Sequence, residues 1–377
     1  MAGENCRMSQ IATALASADR ADPELAADVV HAALDRAGIG IAHSVLLFLS
    51  TDFVHQAHAA VQAASRAAHC LQVTGCTAPG IFTEEDWVLD RPAACAMVFG
   101  GGSGLAAHPA ADAPLLSLAA PNAASRSWLE GGGQRYGLLS TDNSAHGAGR
   151  IWCHGKMAAE GRCETAIAGA RAAIGVSRGM RILGEPRPVT CNGRDVLKAG
   201  EHSALNALLR ELPLDMREME KLPFHLLAAG IVRGRPEGAI EEGRYVLVPI
   251  IAASHEDRSL TLTLPLDDGD QVFWAMRQGL AAENDMRRLA GELSGKLSGD
   301  PDFGLLFSCL GRGPYFFGGE DRDLAVVKER FPGLPLIGAY GGGQIAPLFN
   351  GNEQVHNAAV LALFTENATE TRAGTGV

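Results

Sequence analysis

A mixed α/β (α+β) fold is predicted for this chain, with two related α/β halves from an internal duplication and an antiparallel meander in the middle. Three observations carry that prediction. Toward each end, a short continuous apolar run ("LLFLS" at 46–50, "LLFSC" at 305–309) precedes an amphipathic stretch, the pattern of a buried strand feeding a helix. A second apolar run in each half then ends in a glycine-rich turn, "VTGCTAPGIF" at 73–82 and "LIGAYGGGQI" at 336–345. Between the halves, Leu260, Leu262, Leu264 and Leu266 recur at every second position ahead of "DDGD", which reads as strand and turn.

The elements follow in order. The first forty residues are rich in alanine, and "DPELAADVVHAALDRAG" repeats apolar positions at helical spacing up to Gly38. Residues 1–38 are therefore expected to form an N-terminal helical extension. After the strand Ser44 to Ser50, Asp52 is placed to cap a helix whose face carries Val54, Ala57, Val61, Ala64 and Ala68. "LQVTGCTAPGIF" reads as strand and turn, and "PAACAMVFGGGSG" as strand and loop. Residues 100–148 are rich in Gly, Ala, Pro and Ser, with no period that assigns them. Strand signals resume at "GRIWCHG", "SALNALLREL" suits a helix, and "YVLVPIIA" opens the meander. A helix from Gly279 to Leu297 aligns Met286, Leu289, Ala290, Leu293 and Leu297 on one face. Two main domains are expected, at 39–225 and 226–366, followed by a polar, disordered tail at 367–377.

Composition removes several function classes. A formal charge of −11 and a pI near 5.6, without a basic cluster, argue against a nucleic-acid partner. No run of about 18 apolar residues is present, and the N-terminus lacks the pattern of a signal peptide. Neither a membrane span nor export is expected. The eight cysteines are scattered, with no CxxC pair and no CxxCH. They read as buried thiols in a reducing compartment, so a cytoplasmic protein is expected.

The two ends align residue by residue. Phe48 falls on Phe307, Ser50 on Cys309, Gly75 on Gly338, Cys76 on Ala339, Thr77 on Tyr340 and Gly80 on Gly343, while "ACAMVF" at 94–99 falls on "AVLALF" at 359–364. Each copy is strand, helix, strand, glycine turn, strand. If the copies face one another, their glycine turns converge on one interior pocket. Cys76, Thr77 and Gly80 would line it from the first copy, and Tyr340, Gly341, Gly343 and Gln344 from the second.

These motifs resemble those of the FIST proteins, which join a FIST N-terminal to a FIST C-terminal domain. The matching pieces are "VLLFLS", "VTGCTAPGIF", "SRGMRILGEPRPVT" and "AGEHSALNALL", then "LLFSCLGRG", "PLIGAYGGGQIAP" and "HNAAVLALF", in the family's order from about residue 40 to 365. The resemblance implies a sensory domain for small ligands, coupled to signalling proteins such as histidine kinases or cyclic-dinucleotide enzymes. Some similar bacterial members are haem proteins that sense nitric oxide. The chain has no kinase or F-box segment, so a signalling partner would act in trans. Gln344 stands where many members have a glutamate, which puts in doubt any ligand role that needs a carboxylate there.

Several motifs carry residues with candidate chemistry. In "SCLGRG", a strand ending in Cys309 opens into Gly311, Arg312 and Gly313. Backbone N–H groups there can approach a ligand, and Arg312 can fork onto a carboxylate or phosphate. The alternatives are a core cysteine and an ion-paired arginine. His356 and Asn357 are expected to begin the last strand. Together with Cys309 they hold the ingredients of a thiol-dependent enzyme, in which histidine lowers the thiol pKa, but no nucleophile signature surrounds the cysteine. The pairs His69-Cys70 and Cys153-His154 lack zinc spacing. A haem b would be held non-covalently through one axial residue, with His356, His225, Cys309 and Tyr340 as the candidates. The run Gly341 to Gly343 lacks the Gly-Lys-Ser/Thr of a phosphate loop. The resulting expectation is a non-enzymatic small-ligand sensor, with a thiol enzyme using Cys309 and His356 as the alternative.

Overall fold

Ile11–Ser17 forms a strand, β1, so residues 1–38 supply more than the expected helix. Alanine has little strand preference, which conceals "IATALAS" from a propensity reading; pairing and burial override that preference. The computed structural model describes residues 10–142, 147–267, 269–297, 299–349 and 351–367. The tail expected to be disordered lies outside the described residues from 368 onward.

Helix α1 (Glu24–Ala37) ends as predicted at Gly38, whose φ of 65° is a glycine conformation. Strand β2 (Ser44–Ser50), a 3-10 turn (Thr51–Phe53), helix α2 (Ala57–Ala67) and strands β3 (Val73–Ala78), β4 (Gly80–Thr83) and β5 (Ala93–Phe99) follow. Asp52 does not cap α2, whose N-cap position is held by Gln56; it lies in the 3-10 turn and accepts a hydrogen bond from the Ser50 hydroxyl at 2.7 Å. The unassigned stretch 100–148 holds Gly104–Ala106, Leu115–Ala119 and β6 (Arg135–Leu139). Strand β7 (Ile151–Cys153) is where the sequence places it. The first sheet runs β1-β5-β2-β3-β7, with Lys156–Met157 at its edge. Only β2 and β3 pair in parallel within it.

After β8 (Ala170–Ser177) the chain leaves this arrangement and returns a hundred residues later. Two units result: Met1–Arg178 with Asp285–Val377, and Gly179–Asn284. The second unit contains β9 (Met180–Asn192), β10 (Asp195–Ala199), α3 (Ala204–Glu211), β11 (Leu227–Val232), β12 (Val246–Ala253), β13 (Leu260–Leu262) and β14 (Gln271–Arg277). Its strands run β9-β14-β11-β12-β13-β10, and β10 pairs back to β9. Every pairing is antiparallel, so the unit is a closed six-stranded barrel without free edges among these strands. The predicted antiparallel meander is present, with one strand placed differently. β11, β12 and β13 form it, but β14 does not turn back beside β13 through "DDGD"; it pairs with β11 and β9. Closure needs β14 on the far side of β11, a long-range demand that local alternation cannot signal.

The second copy resumes with α4 (Gly279–Lys296), β15 (Phe303–Cys309), a 3-10 turn (Leu310–Arg312), α5 (Arg322–Arg330), β16 (Leu336–Gly341), β17 (Gly343–Leu348) and β18 (Ala359–Glu366). Its sheet runs β8-β18-β15-β16-β4, with Trp87–Leu89 at the edge. That order reproduces the first sheet position for position, β1 matching β8, β5 matching β18 and β7 matching β4. Again only the two central strands, β15 and β16, are parallel. Phe48 pairs with Cys76 and Cys95 in one sheet, and Phe307 with Ala339 and Val360 in the other. This is the register that the sequence alignment requires. The barrel is therefore an insertion in the second copy, between its first strand and its first helix.

Gly75 and Gly338 show why the alignment holds. A Cβ on Gly75 would stand 1.7 Å from the Leu47 carbonyl oxygen, and one on Gly338 would stand 2.1 Å from that of Leu306. Each glycine pairs with an aromatic residue on the antiparallel neighbour, Trp152 or Phe82, a ring over a strand glycine. On their inner faces, Leu46, Phe48, Cys95 and Phe99 share a core with Leu305, Phe307, Val360 and Phe364. The outer faces pack on α1 and α2 in one copy and on α4 and α5 in the other. A third sheet, containing Leu115–Ala119, β6 and β17, closes the shared core through Leu116, Tyr136, Leu138 and Ala346. Among the described residues, no helix is long and apolar enough to cross a membrane.

Not all cysteines are buried thiols: Cys70 and Cys191 are partly exposed, and Cys153 and Cys163 form a disulfide, with their Cα atoms 5.7 Å apart. They are 10 positions apart in sequence, and the chain returns in Arg162–Ala168 beside β7, a proximity that spacing alone does not reveal. The paired glycines yield a prediction. Gly75→Ala and Gly338→Ala should each lower stability by about 3 kcal/mol, read as urea midpoints. Gly40→Ala, with nothing within 4 Å of its Cβ, should change stability by less than about 0.5 kcal/mol. A tolerated Gly338→Ala would contradict the close approach of β15 and β16.

Candidate functional site

Both copies end their first parallel strand in a one-turn 3-10 helix, and these turns meet at a cleft of about 420 Å3. Thr51 and Asp52 line it from the first copy, and Leu310, the residue aligned with Thr51, from the second. Pro79, between β3 and β4, forms another wall, and Thr141 and Asp142 enter just beyond β6. The wall is completed by Asp90, a non-glycine residue at a φ of 59° whose carboxylate accepts a hydrogen bond from the Tyr315 hydroxyl. That bond holds the Tyr315 phenol proton more tightly than usual. The location is the carboxyl end of the parallel strands, where ligands of α/β sheets bind. Three carboxylates and two hydroxyls make the lining acidic and polar. Among the described residues, no cluster of His, Cys, Asp or Glu is arranged to hold a metal ion.

None of the sequence-named site residues lines this cleft, and only a few adjoin its wall in sequence. Cys309 and Gly311 flank Leu310, and Gly80 follows Pro79. Cys76 and Thr77 are buried in β3; burial pushes the Cys76 thiol up, away from reactivity. Thr77 uses its hydroxyl to accept from the Arg150 N–H at 2.8 Å. The Gly341 to Gly343 run is explained by protein packing. A Cβ on Gly341 would lie 2.3 Å from the Leu139 carbonyl oxygen, and one on Gly342 would lie 2.8 Å from the Thr141 side chain. Gln344 is fully buried, facing the shared core beside Leu138, and neither end of its amide has a partner among the described residues. A carboxylate would be costly there, so a neutral amide suits the position.

Arg312 is ion-paired inside the protein. Its side chain is 1% exposed and its guanidinium forks onto Asp323 at 2.8 and 2.9 Å, while also donating to the carbonyl and hydroxyl of Ser177. Gly313 packs against the Tyr340 ring. Tyr340, on the helix side of the second sheet, donates its hydroxyl to Asp321. Asp321 caps α5 through the Leu324 N–H at 2.8 Å. Burial, reinforced by the neighbouring Asp323 charge, pushes the Asp321 carboxyl up to about 6. Burial also raises Tyr340, with the Asp321 charge in support.

The thiol-enzyme constellation does not assemble. His356 and Asn357 do not begin the last strand, which starts at Ala359; they lie in the turn ahead of it, where Asn357 takes a φ of 52°. The His356 ring faces the Gly342 carbonyl and Gln354, at 3.0 Å each, and no hydrogen bond joins it to Cys309 among the described residues. Haem does not fit the four named ligands either. Tyr340 is committed to Asp321, Cys309 is buried at the top of a packed face, His356 is tied at an exposed turn, and His225 is exposed. The cleft residues were nonetheless within reach of sequence reasoning. Thr51 and Leu310 each follow an aligned pair, and Pro79 precedes one. No local pattern marks Asp90, Thr141 or Asp142.

Asp321 makes a pH-dependent contribution. Its folded-state pKa lies above the ordinary value of 3.8, so the folded state holds the proton through the window from about 4 to 6. This group's stabilising effect is present at low pH and is lost as pH rises through that window, an effect of up to about 3 kcal/mol. Asp321→Asn should therefore gain stability relative to the parent between pH 4 and pH 6.5, measured as paired urea midpoints. A constant difference across the window would contradict the assignment.

Comparison with known proteins finds similarity over part of the chain. Residues 204–347 match the model of the FIST C domain, a span from α3 in the barrel to β17 in the second copy. Over 202 residues, 53% of this chain, it is 30% identical to the uncharacterized protein Rv0628c of Mycobacterium tuberculosis. Over 203 residues it is 29% identical to the uncharacterized protein Mb0898c of Mycobacterium bovis. The chain spans about half the length of these bacterial relatives, 52% of each. Residues 204–347 are thus similar to the FIST C domain.

Proposed function

We propose that this protein is a sensory module that binds a small polar ligand in the cleft shared by the two copies. The observation carrying this reading is the convergence of Thr51 and Leu310, equivalent residues of duplicated strands, on one cleft at the strand carboxyl ends. The FIST C match supports a sensory small-ligand domain. Asp52, Asp90 and Asp142 favour a ligand carrying positive charge, since opposite charges attract more strongly where the wall restricts solvent. Its role is recognition without chemistry, because Cys309 and His356 are not arranged as nucleophile and base. Output would pass in trans to a signalling protein such as a histidine kinase or a cyclic-dinucleotide enzyme, in the cytoplasm. The expected division at residue 225, between N- and C-type modules, belongs to the same proposal.

Thermal unfolding against a panel of amines, polyamines and quaternary ammonium compounds tests the site, with dicarboxylates as the opposite-charge control. A cationic compound at about 100 times its Kd should stabilise the protein by about 2.7 kcal/mol, and Leu310→Trp, which fills the cleft, should abolish the gain. Dicarboxylates that stabilise the parent and Leu310→Trp equally would contradict the site and its charge preference.

A further inference from the structure

The Leu310–Arg312 turn has two sides. Leu310 lines the cleft. Two residues on, Arg312 reaches the opposite, helix-facing side of the sheet and contacts the residues that bracket the inserted barrel. It donates to the Ser177 carbonyl at 2.8 Å and to the Ser177 hydroxyl at 2.7 Å. That hydroxyl donates in turn to Asp285 at 2.8 Å. Ser177 ends β8, just before the insertion begins at Gly179, and Asp285 is the first residue after it ends. All of these groups belong to the first unit.

The first copy provides an internal comparison. Its turn, Thr51–Phe53, also presents its first residue to the cleft, and its third residue, Phe53, is fully buried among the helices. Ala16 holds the place of Ser177, because Ala16 pairs with Ala94 as Ser177 pairs with Ala359. No insertion separates β1 from α1 in that copy. The apolar plug thus occurs where the copy is continuous, and the ion-paired arginine where it is interrupted. A buried ion pair stabilises a fold no better than a well-packed apolar group, so stability alone does not account for Arg312.

We propose that the Leu310–Arg312 turn couples the cleft to the two ends of the inserted barrel, with Arg312 as a positioning residue acting through Ser177 and Asp285. The proposal takes the cleft as the input end, resting on the reading above. A ligand that binds one placement of the turn better than another would shift the Arg312 contacts and thereby the chain ends they hold.

The test uses the 377-residue chain and needs no ligand. Leu310→Trp serves as the probe in the cleft, and hydrogen exchange is followed by peptide at residues 174–178 and 285–289. Exchange there should change about tenfold, while residues 12–17 and 24–28, the corresponding ends in the first copy, stay unchanged. In a Ser177→Ala background, which keeps the Arg312–Asp323 pair, the response should fall below about twofold. Arg312→Met combined with Asp323→Leu gives a second background without an unpaired buried charge. The proposal is overturned if Leu310→Trp leaves both bracketing segments unchanged, or if the change survives undiminished in Ser177→Ala. Because the probe is a side chain, failure of the ligand screen and failure of the coupling are separate results.

Discussion

The rings of Phe48 and Phe307 meet edge to face, with centroids 6.0 Å apart, and the first unit is arranged around that meeting. They are equivalent residues of two copies, each on the central strand of its sheet, so their contact sets the two inner faces against one another. Phe99 against Phe303 extends the same interface, and Phe303 stacks on its strand neighbour Phe364 within the second sheet. The position of the cleft follows from this contact. Thr51 and Leu310 each lie three residues beyond the ring pair, about 10 Å along an extended chain. Two strands anchored at equivalent points thus reach one rim together.

How much of this was legible depended on how local each cause is. The pairing of Gly75 with Gly338 was legible because a strand glycine overlain by an aromatic ring leaves the same trace in both copies. Helices α1 and α4 were legible from their apolar periodicity. The strand "IATALAS" was not, since alanine favours helices and only its pairing with β5 makes it a strand. The insertion was invisible because α4 runs continuously through the boundary at Asp285 and its periodicity does not break there. Arg312 between two glycines invited a ligand reading. Which side of the sheet it faces depends on Asp323 and Ser177, the latter 135 residues away. Likewise, the Gly341 to Gly343 run answers to β6, a strand in the stretch that offered no period.

The copies diverge where function can act. Their inner faces remain apolar and alike, but on the helix side the first copy closes with Phe53 and the second with a charged node of Arg312, Asp323 and Asp321. Buried charge responds to pH and to small displacements because its energy depends steeply on distance and solvation. Gln344 is the comparable feature of the shared core, a neutral amide without a partner among the described residues where apolar packing surrounds it. Duplication supplied a stable frame, and the polar departures from symmetry mark its adjustable parts.

The central claim, that the two copies are held face to face through Phe48 and Phe307, is tested most directly by a double-mutant cycle. Phe48→Leu, Phe307→Leu and the double variant are compared by urea unfolding at one pH. Rings that meet edge to face should give a coupling energy of about 0.5–1.5 kcal/mol. Additive losses, within about 0.3 kcal/mol, would mean that the rings do not touch and that the two sheets do not share this face.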